Sequence, residues 1–533
     1  MGFIPYDRNQ TLLLGYSLDD FVPQDAKCRY VIELVNRLDL SDLLEKYSDQ
    51  GADSFDPALM LATWFFSYCE GESSTRRIEN KCHRDMHYIY ISAYLRPDHT
   101  SLSRFRKAHL DLMNEYFVQL VHMAQAEGLS DFREISMDGS KIQASCSHKQ
   151  NKSSDALRNK IAAIRSDIDA YMARCDMAEL NDMPEEDIHS IRAKIKQIEA
   201  KEQQLKERQE QLDVRKKEIK SEYRDKHTIN AVEPDAPMMS KVNGNKGRPA
   251  YNSQISVDTQ SQLIVANDTV QDRNDSNQFT PQYEMINTNL GHDPNRKYNN
   301  DSGYFALDQL EYVHENNIDA VINDPTPQHR SNFTELPSVA ELLEQNRKIT
   351  RGDFRYYAEG NYYECPSGRK LSFVRHKKEA KRAYDLYTSQ HCDGCPLKEN
   401  CLGKGNRSGC RNIRRDRREI YAERMSDKLK SENAKERLKR RAMTVEPVFG
   451  NLKENLGFRR FRLRGFENVK GEFNLMCIGH NINILFKYAL KKKNQAIKAK
   501  TKAEEQFFDV LELCLSFIIP FFRPVQSFLV RLG

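Results

Sequence analysis

No stretch of about 18 uninterrupted apolar residues occurs in the 533-residue sequence, so an ordinary membrane-spanning helix is not expected. The nearest approach runs from Phe507 to Val530. It is broken by Asp509, Glu512, Pro520 and Arg523, and it reads as a docking segment or a loosely packed tail. A secretory leader is not expected either, because Leu12-Leu13-Leu14 is a short apolar stretch with no basic segment before it. A large net charge is missing as well: 82 Lys and Arg against 77 Asp and Glu leave +5. Charge can therefore inform on partners only through its placement. Cysteine is present in number, 12 in all. Without a leader these read as reduced thiols or metal ligands rather than a disulfide scaffold. What remains is a chain too long for one core, with 30% charged residues that imply some long polar helix.

Residues 1–125 read as helical. Val31, Ile32, Leu34, Val35 and Leu38 follow an amphipathic period, as do Met60, Leu61, Trp64, Phe65 and Phe66 after Pro57. Thr75 or a neighbouring Ser can cap one helix. Asp98 or Thr100 can cap another that carries Arg104, Arg106 and Lys107. Short helices with basic starts suit a helix-turn-helix-like module that holds DNA through Arg104 and Arg106. The plainer reading is a helical bundle with a structural or dimerising role.

Residues 134–143 read as a strand that pairs with 251–258. There Tyr251, Ser253, Ile255 and Val257 alternate with polar residues, the period of a half-buried strand. Strands are also expected at 263–266, just before Asp301, and at 318–322, with a helix over 307–316. Between the first two strands, residues 152–227 are charged and helical. Ile191, Ile198, Leu205, Leu212 and Ile219 fall seven apart, a coiled-coil repeat. Ile188 and Ile195 begin the companion row, and Glu202, Gln209 and Lys216 interrupt it. A turn over 181–186 with Pro184 would make a helical hairpin whose first arm carries Leu157, Ile161, Ile164 and Ile168. The partner of this seam is either the chain itself or a second copy.

Three carboxylates stand in distinctive settings. Asp138 follows Glu134-Ile135-Ser136-Met137 and precedes Gly139-Ser140-Lys141. Asp301 opens Asp-Ser-Gly-Tyr-Phe. Glu446 lies in Val445-Glu446-Pro447-Val448-Phe449-Gly450 and is read as opening a helix, with Pro447 at an early position. Three such acids can hold a pair of Mg²⁺ ions about 4 Å apart for phosphoryl transfer. Around the third acid, residues 436–464 hold nine Lys or Arg against three Glu, and Arg414, Arg415, Arg417 and Arg418 form a second cluster. One basic cluster is as readily a solvated helix face; two beside a candidate metal acid suit a phosphate backbone.

The segments Met137 to Ala144, Asn300 to Phe305 and Val445 to Lys453 resemble the three blocks of the DDE transposases of bacterial insertion sequences. The run Gly457-Phe458-Arg459-Arg460-Phe461-Arg462-Leu463-Arg464-Gly465 is similar to the segment that follows the third block. Phe55-Asp56-Pro57, Ser74 to Glu79, Arg96 to Thr100 and Ser103 to Arg106 resemble the helical region before the catalytic domain. A sister group carries Tyr, Arg, Glu and Lys at fixed spacing around the third acid. Lys453 fits that spacing, but Arg441 stands one place early and Lys439 lies where the Tyr would be.

The resemblance implies a multidomain α/β chain. A helical DNA-binding domain (1–125) comes first. An RNase-H-like catalytic domain of mixed sheet and helices follows (126–330), interrupted by the coiled-coil insertion 152–227. Next come a Cys-rich basic insertion (331–435), a catalytic helix segment (436–490) and a tail (491–533). It implies cleavage and strand transfer of double-stranded DNA with two Mg²⁺ or Mn²⁺ ions on Asp138, Asp301 and Glu446, Asp138 bridging both. Lys453, Arg459, Arg460, Arg462 and Arg464 would contact DNA. The partners implied are the element's terminal inverted repeats and target DNA, bound by a homodimer in a bacterial cytoplasm at the nucleoid. Asn252 and Gln254 sit in a block that family members share, and read equally as polar residues of an exposed strand face. A nuclease that cuts without joining, or an inactive DNA-binding derivative, are the competing readings.

Cys365, Cys392, Cys395 and Cys401 lie between the second and third acids. Cys392-Asp-Gly-Cys395 is a compact knuckle, and four thiolates at such spacing suit tetrahedral structural Zn²⁺. Cys410 and His391 compete for the place of Cys365. Buried free thiols are the alternative.

Overall fold

The computed structural model describes the chain outside residues 1–3, 6, 9–14, 16, 48–53, 181–184, 218–227, 241, 243–246, 328–335, 380–381, 403–408 and 530–533. It is a mixed α/β structure that divides into two compact units. The first comprises residues 1–106, 123–129 and 478–533, and the second comprises 107–122 and 130–477.

The first unit is helical. Its central helix, Pro57–Cys69, starts where the Asp56 carboxylate accepts from the Leu59 amide, with Pro57 at the first position. All of its residues except Ala58 are buried. The long helix Phe466–Leu529 crosses it at Gly479, where a Cβ would come within 2.7 Å of the Tyr68 carbonyl. Glycine is thus needed for close approach of the two backbones. At the predicted second cap, Asp98 accepts from the amides of Thr100 and Ser101, both at 2.7 Å.

The second unit is built on a mixed sheet. Strand β1 (Glu134–Gln143) is followed by a two-residue strand β2 (Asn151–Lys152), which pairs with β3 (Ile229–Asn230). Strands β4 (Met238–Met239), β5 (Arg248–Asp258) and β6 (Ile264–Val270) come next, then β7 (Lys297–Asn300) and β8 (Asp319–Ile322). The order is β5-β1-β7-β8, with β4 and β6 both paired to β5. β1 and β6 run antiparallel to β5, whereas β7 is parallel to β1 and β8 to β7. Three antiparallel strands followed by two parallel ones make the mixed sheet with helices that was expected.

The expectation that β5 is half-buried is corrected: every residue from Pro249 to Asp258 is buried. β5 is an inner strand, and its polar side chains are satisfied inside. Ser256, for example, donates to Gln282 on the helix Phe279–Leu290.

Between β2 and β3 rise two long helices, Ser154–Leu180 and Glu185–Lys217. They pack on each other within the chain: Leu157, Ile161, Ile164, Ile168, Leu205 and Ile229 share one apolar cluster, with Ile198 against it. Glu202, which interrupts the companion row, pairs with Arg165 and Lys206, both at 2.7 Å. The expected turn residues 181–184 and Ile219 lie outside the described residues.

A second, antiparallel sheet follows: β9 (Arg355–Tyr357), β10 (Tyr362–Glu364), β11 (Lys370–Glu379), β12 (Arg382–Ser389) and β13 (Asn412–Arg415), in the order β13-β12-β11-β10-β9. Its core gathers Phe354, Tyr363, Leu371, Tyr387 and Ile413.

Among the described residues no helix is long and apolar enough to cross a membrane.

Candidate active site

Asp138 lies in the middle of β1, opposite Ile255 of β5. Asp301 directly follows β7, the parallel neighbour of β1, and caps the short turn Ser302–Tyr304 by accepting from the Gly303 amide at 2.8 Å. The two strands therefore deliver the two carboxylates to one place. Both face the same guanidinium nitrogen: Arg441 Nη2 is 3.0 Å from Asp138 Oδ1 and 3.8 Å from Asp301 Oδ2. Burial pushes the Asp138 carboxyl up to about 7. Arg441 opposes that rise, while Asp301 and Asp275 add to it. A buried carboxyl with a raised pKa beside a second acid marks a functional-site candidate.

The third acid is placed differently from the sequence expectation. The helix bearing Glu446 runs from Glu432 to Gly450, capped by Ser431 onto the Ala434 amide, so Glu446 lies in its final turns with Pro447 inside it. The helix begins earlier because Ser431 supplies a cap and the residues after it hold the helical burial pattern through Ala434, Arg437, Arg441 and Val445. A π-helical turn, Asn451–Asn455, continues it. Arg437 fixes the helix to the sheet, donating to Asn299 Oδ1 (2.8 Å) and to the Tyr298 carbonyl (3.1 Å). Glu446 itself is exposed. Among the described residues no three His, Cys, Asp or Glu side chains are arranged to hold a metal ion, so Glu446 is not gathered with the two aspartates in this conformation.

Lys453 Nζ donates to Ser140 Oγ (2.5 Å) and to the Lys141 carbonyl (3.1 Å), two and three residues beyond Asp138. Burial holds its amine below the usual lysine range. The basic run continues β1: Phe461 N donates to the Gln143 carbonyl, and Arg460 and Arg464 donate to the carbonyls of Ala144 and Ser145. Arg459, Arg460, Arg462 and Arg464 are all exposed, with Arg459 paired to Glu454. Arg104 is exposed, but Arg106 is not. Its guanidinium lies over the Trp64 ring and donates to Tyr68 and to the Ser73 carbonyl, so it braces the helical unit and is removed from the set of DNA contacts. Arg415 of the upstream cluster is likewise buried, in a pair with Glu423.

The four predicted cysteines are neighbours, but among the described residues they are not arranged to hold a metal ion. Cys365, Cys392, Cys395 and Cys401 line one small pocket beside the core of the second sheet. Cys365 Sγ accepts from the Arg369 amide (3.3 Å) and Cys392 Sγ from the Arg411 amide (3.4 Å). Gly368 and Gly394 take positive φ at the two tight turns. Burial raises the Cys401 thiol to about 11, and the neighbouring cysteines add to this. Ten cysteines among the described residues, these four included, are free of disulfides.

Two family profiles match the chain: a transposase domain (DUF772) over residues 16–108 and a transposase DDE domain over residues 364–486. Together they mark it as a DDE-type insertion-sequence transposase. The DDE match takes in the four cysteines, Arg441, Glu446, Lys453 and the basic run; Asp138 and Asp301 of the transposase lie before it. No match was found among curated proteins.

Two features of this transposase escaped the sequence reading. By spacing Arg441 stands merely one place out of register, yet it joins the two aspartates. Asn252 and Gln254 are buried rather than on an exposed face, and both donate to Asp275, at 2.7 and 2.5 Å. Their spacing of two on the strand paired with β1 was the available signal.

Proposed function

We propose that this transposase binds the terminal inverted repeats of its own element as a homodimer and carries out Mg²⁺-dependent cleavage and strand transfer of DNA with Asp138, Asp301 and Glu446. The observation that carries this reading is the convergence of Asp138 and Asp301, from two separate strands, on one cationic nitrogen. Carboxylate oxygens suit Mg²⁺ or Mn²⁺, and a pair of such ions supplies Lewis-acid charge to both oxygens of an in-line phosphoryl displacement. Asp138 and Asp301 would hold such an ion through their carboxylate oxygens. Glu446, exposed on the helix that reaches both aspartates through Arg441, would supply the third carboxylate. Lys453 holds a phosphate beside Ser140, and Arg459, Arg460, Arg462 and Arg464 hold the flanking duplex, with Arg104 contributing from the helical unit. Cys365, Cys392, Cys395 and Cys401, which share one small pocket, would supply the four thiolates for a structural Zn²⁺ once drawn together around it.

The test is incubation of purified protein with Mg²⁺ and a plasmid carrying the gene with its native flanks. Asp138→Asn, Asp301→Asn and Glu446→Gln should each reduce cutting to background while gel-shift binding persists. Normal cutting by one variant removes that residue from the centre. Elemental analysis should find about one zinc per chain, lost together with thermal stability in Cys392→Ser; a zinc-free native protein rejects that site.

A further inference from the structure

Asp275 lies in the connection between β6 and the helix Phe279–Leu290. One of its oxygens takes both buried amides, Asn252 Nδ2 at 2.7 Å and Gln254 Nε2 at 2.5 Å. Gln254 is fixed in turn, because its own carbonyl oxygen accepts from the buried Tyr304 hydroxyl. The network thus reaches from β5 to the turn that follows Asp301.

It also presses on the backbone beside each catalytic candidate. A Cβ added to Gly139, the residue after Asp138, would lie 2.9 Å from Asp275 Cγ, and closer still to its Oδ1 and to Gln254 Nε2. A Cβ added to Gly303, two residues after Asp301, would lie 3.2 Å from Asp275 Oδ2 and 3.0 Å from Asp301 Oδ1. Gly139 leaves space for the carboxylate only because it is glycine, and at Gly303 the carboxylate packs closely enough that an added side chain would press on it.

The faces of the sheet separate this network from the centre. Successive residues of a strand point to opposite sides. Gly139 is paired with Gln254, on the side where Ser256 meets Gln282 of the Phe279–Leu290 helix. Asp138 shares a side with Ser136, which is paired with Asn299, the residue that Arg437 holds from the Glu432–Gly450 helix. Asp275 therefore bears on β1 from behind Asp138.

We propose that Asp275 is a positioning residue: by packing against Gly139 and Gly303 under the hold of Asn252 and Gln254, it sets the separation of Asp138 and Asp301 for a divalent cation. The inference rests on the proposed centre. Outer residues that orient metal ligands are worth about 10–100-fold in metal affinity.

The experiment measures Mn²⁺ affinity of the purified full chain by electron paramagnetic resonance, alongside cutting of the plasmid carrying the gene with its native flanks. Asp275→Ala should weaken Mn²⁺ binding at least about tenfold and lower kcat while KM for the plasmid stays put. Asp275→Asn keeps the shape and the acceptor oxygen, and should restore both. Wild-type Mn²⁺ affinity in Asp275→Ala overturns the proposal. So does an Asp275→Asn variant as impaired as Asp275→Ala, which would make the charge rather than the placement the active property. Asp138→Asn runs in parallel: undiminished Mn²⁺ binding there would remove the centre itself, a separate failure. If Asp275→Ala does not fold, Asn252→Ala removes one of the two donors and carries the same expectation.

Discussion

At the scale of single residues, the centre depends on what is small as much as on what is charged. Gly139 is an interior strand residue with ordinary extended backbone, so conformational freedom is not its reason. Its reason is the carboxylate and amide packed where a side chain would begin. Gly139→Ala should cost about 1–3 kcal/mol, the usual penalty for overpacking, read as a lowered midpoint in urea. A variant as stable as the parent would mean that the Asp275 connection yields freely. Arg441 shows the complementary case, a charge whose role follows from geometry alone. Nothing in Lys439-Arg440-Arg441 distinguishes the third residue from the first two, yet the third is buried and meets both aspartates. Helical phase, more than residue type, separates a site residue from a solvated one.

At the scale of elements, the helix Glu432–Gly450 is tied to the sheet by ions. Asp319, at the start of β8, accepts from Lys428 (2.8 Å) and Arg437 (2.7 Å). Burial raises its carboxyl, but the two cations outweigh burial and leave it below the usual carboxylate range. A depressed folded pKa means that the unfolded chain takes up the proton first. The stabilisation is therefore present above the unfolded value of about 3.9 and is lost as pH falls through the folded one. Asp319→Asn should be less stable than the parent at pH 7, and the difference should shrink in acid; urea midpoints at both pH values check this. A gap that does not change with pH would show that the ion pairs contribute nothing there.

The strands themselves were legible. The runs around Ile135, Ile255, Ile264 and Ile322 carry β-branched residues bounded by turns, and each became a strand near its expected bounds. The start of the Glu446 helix was less so. Pro447 is a familiar first-turn residue, and only the Ser431 cap with the burial phase after it places the start earlier. The polar residues of β5 misled because alternation reports solvent only when the other face is wet. Here the second face meets buried partners instead.

At the scale of the molecule, positive charge is concentrated rather than abundant. Arg459, Arg460, Arg462 and Arg464 extend from the end of β1, while Arg106 and Arg415, equally basic in the sequence, are spent inside. Each phosphate contact contributes about 0.9 to the slope of log K against log salt. Arg462→Ala should lower that slope by about one for the native element DNA and leave the melting temperature unchanged. An unaltered slope would take Arg462 off the duplex.

The helical pair between β2 and β3 bears on assembly of the catalytic sheet. β1 and β5 must find each other across an intervening stretch of more than a hundred residues, and closing so long a span carries an entropic cost before any strand contact rewards it. Helices joined by a short link form from neighbouring residues, on a faster clock than distant strands. With Leu157 and Ile229 in one apolar cluster and β2 paired to β3, most of that span lies between neighbouring ends. The pairing of β2 with β3 at the base of the insertion thus leaves only a short stretch of chain on each side to lead to β1 and β5.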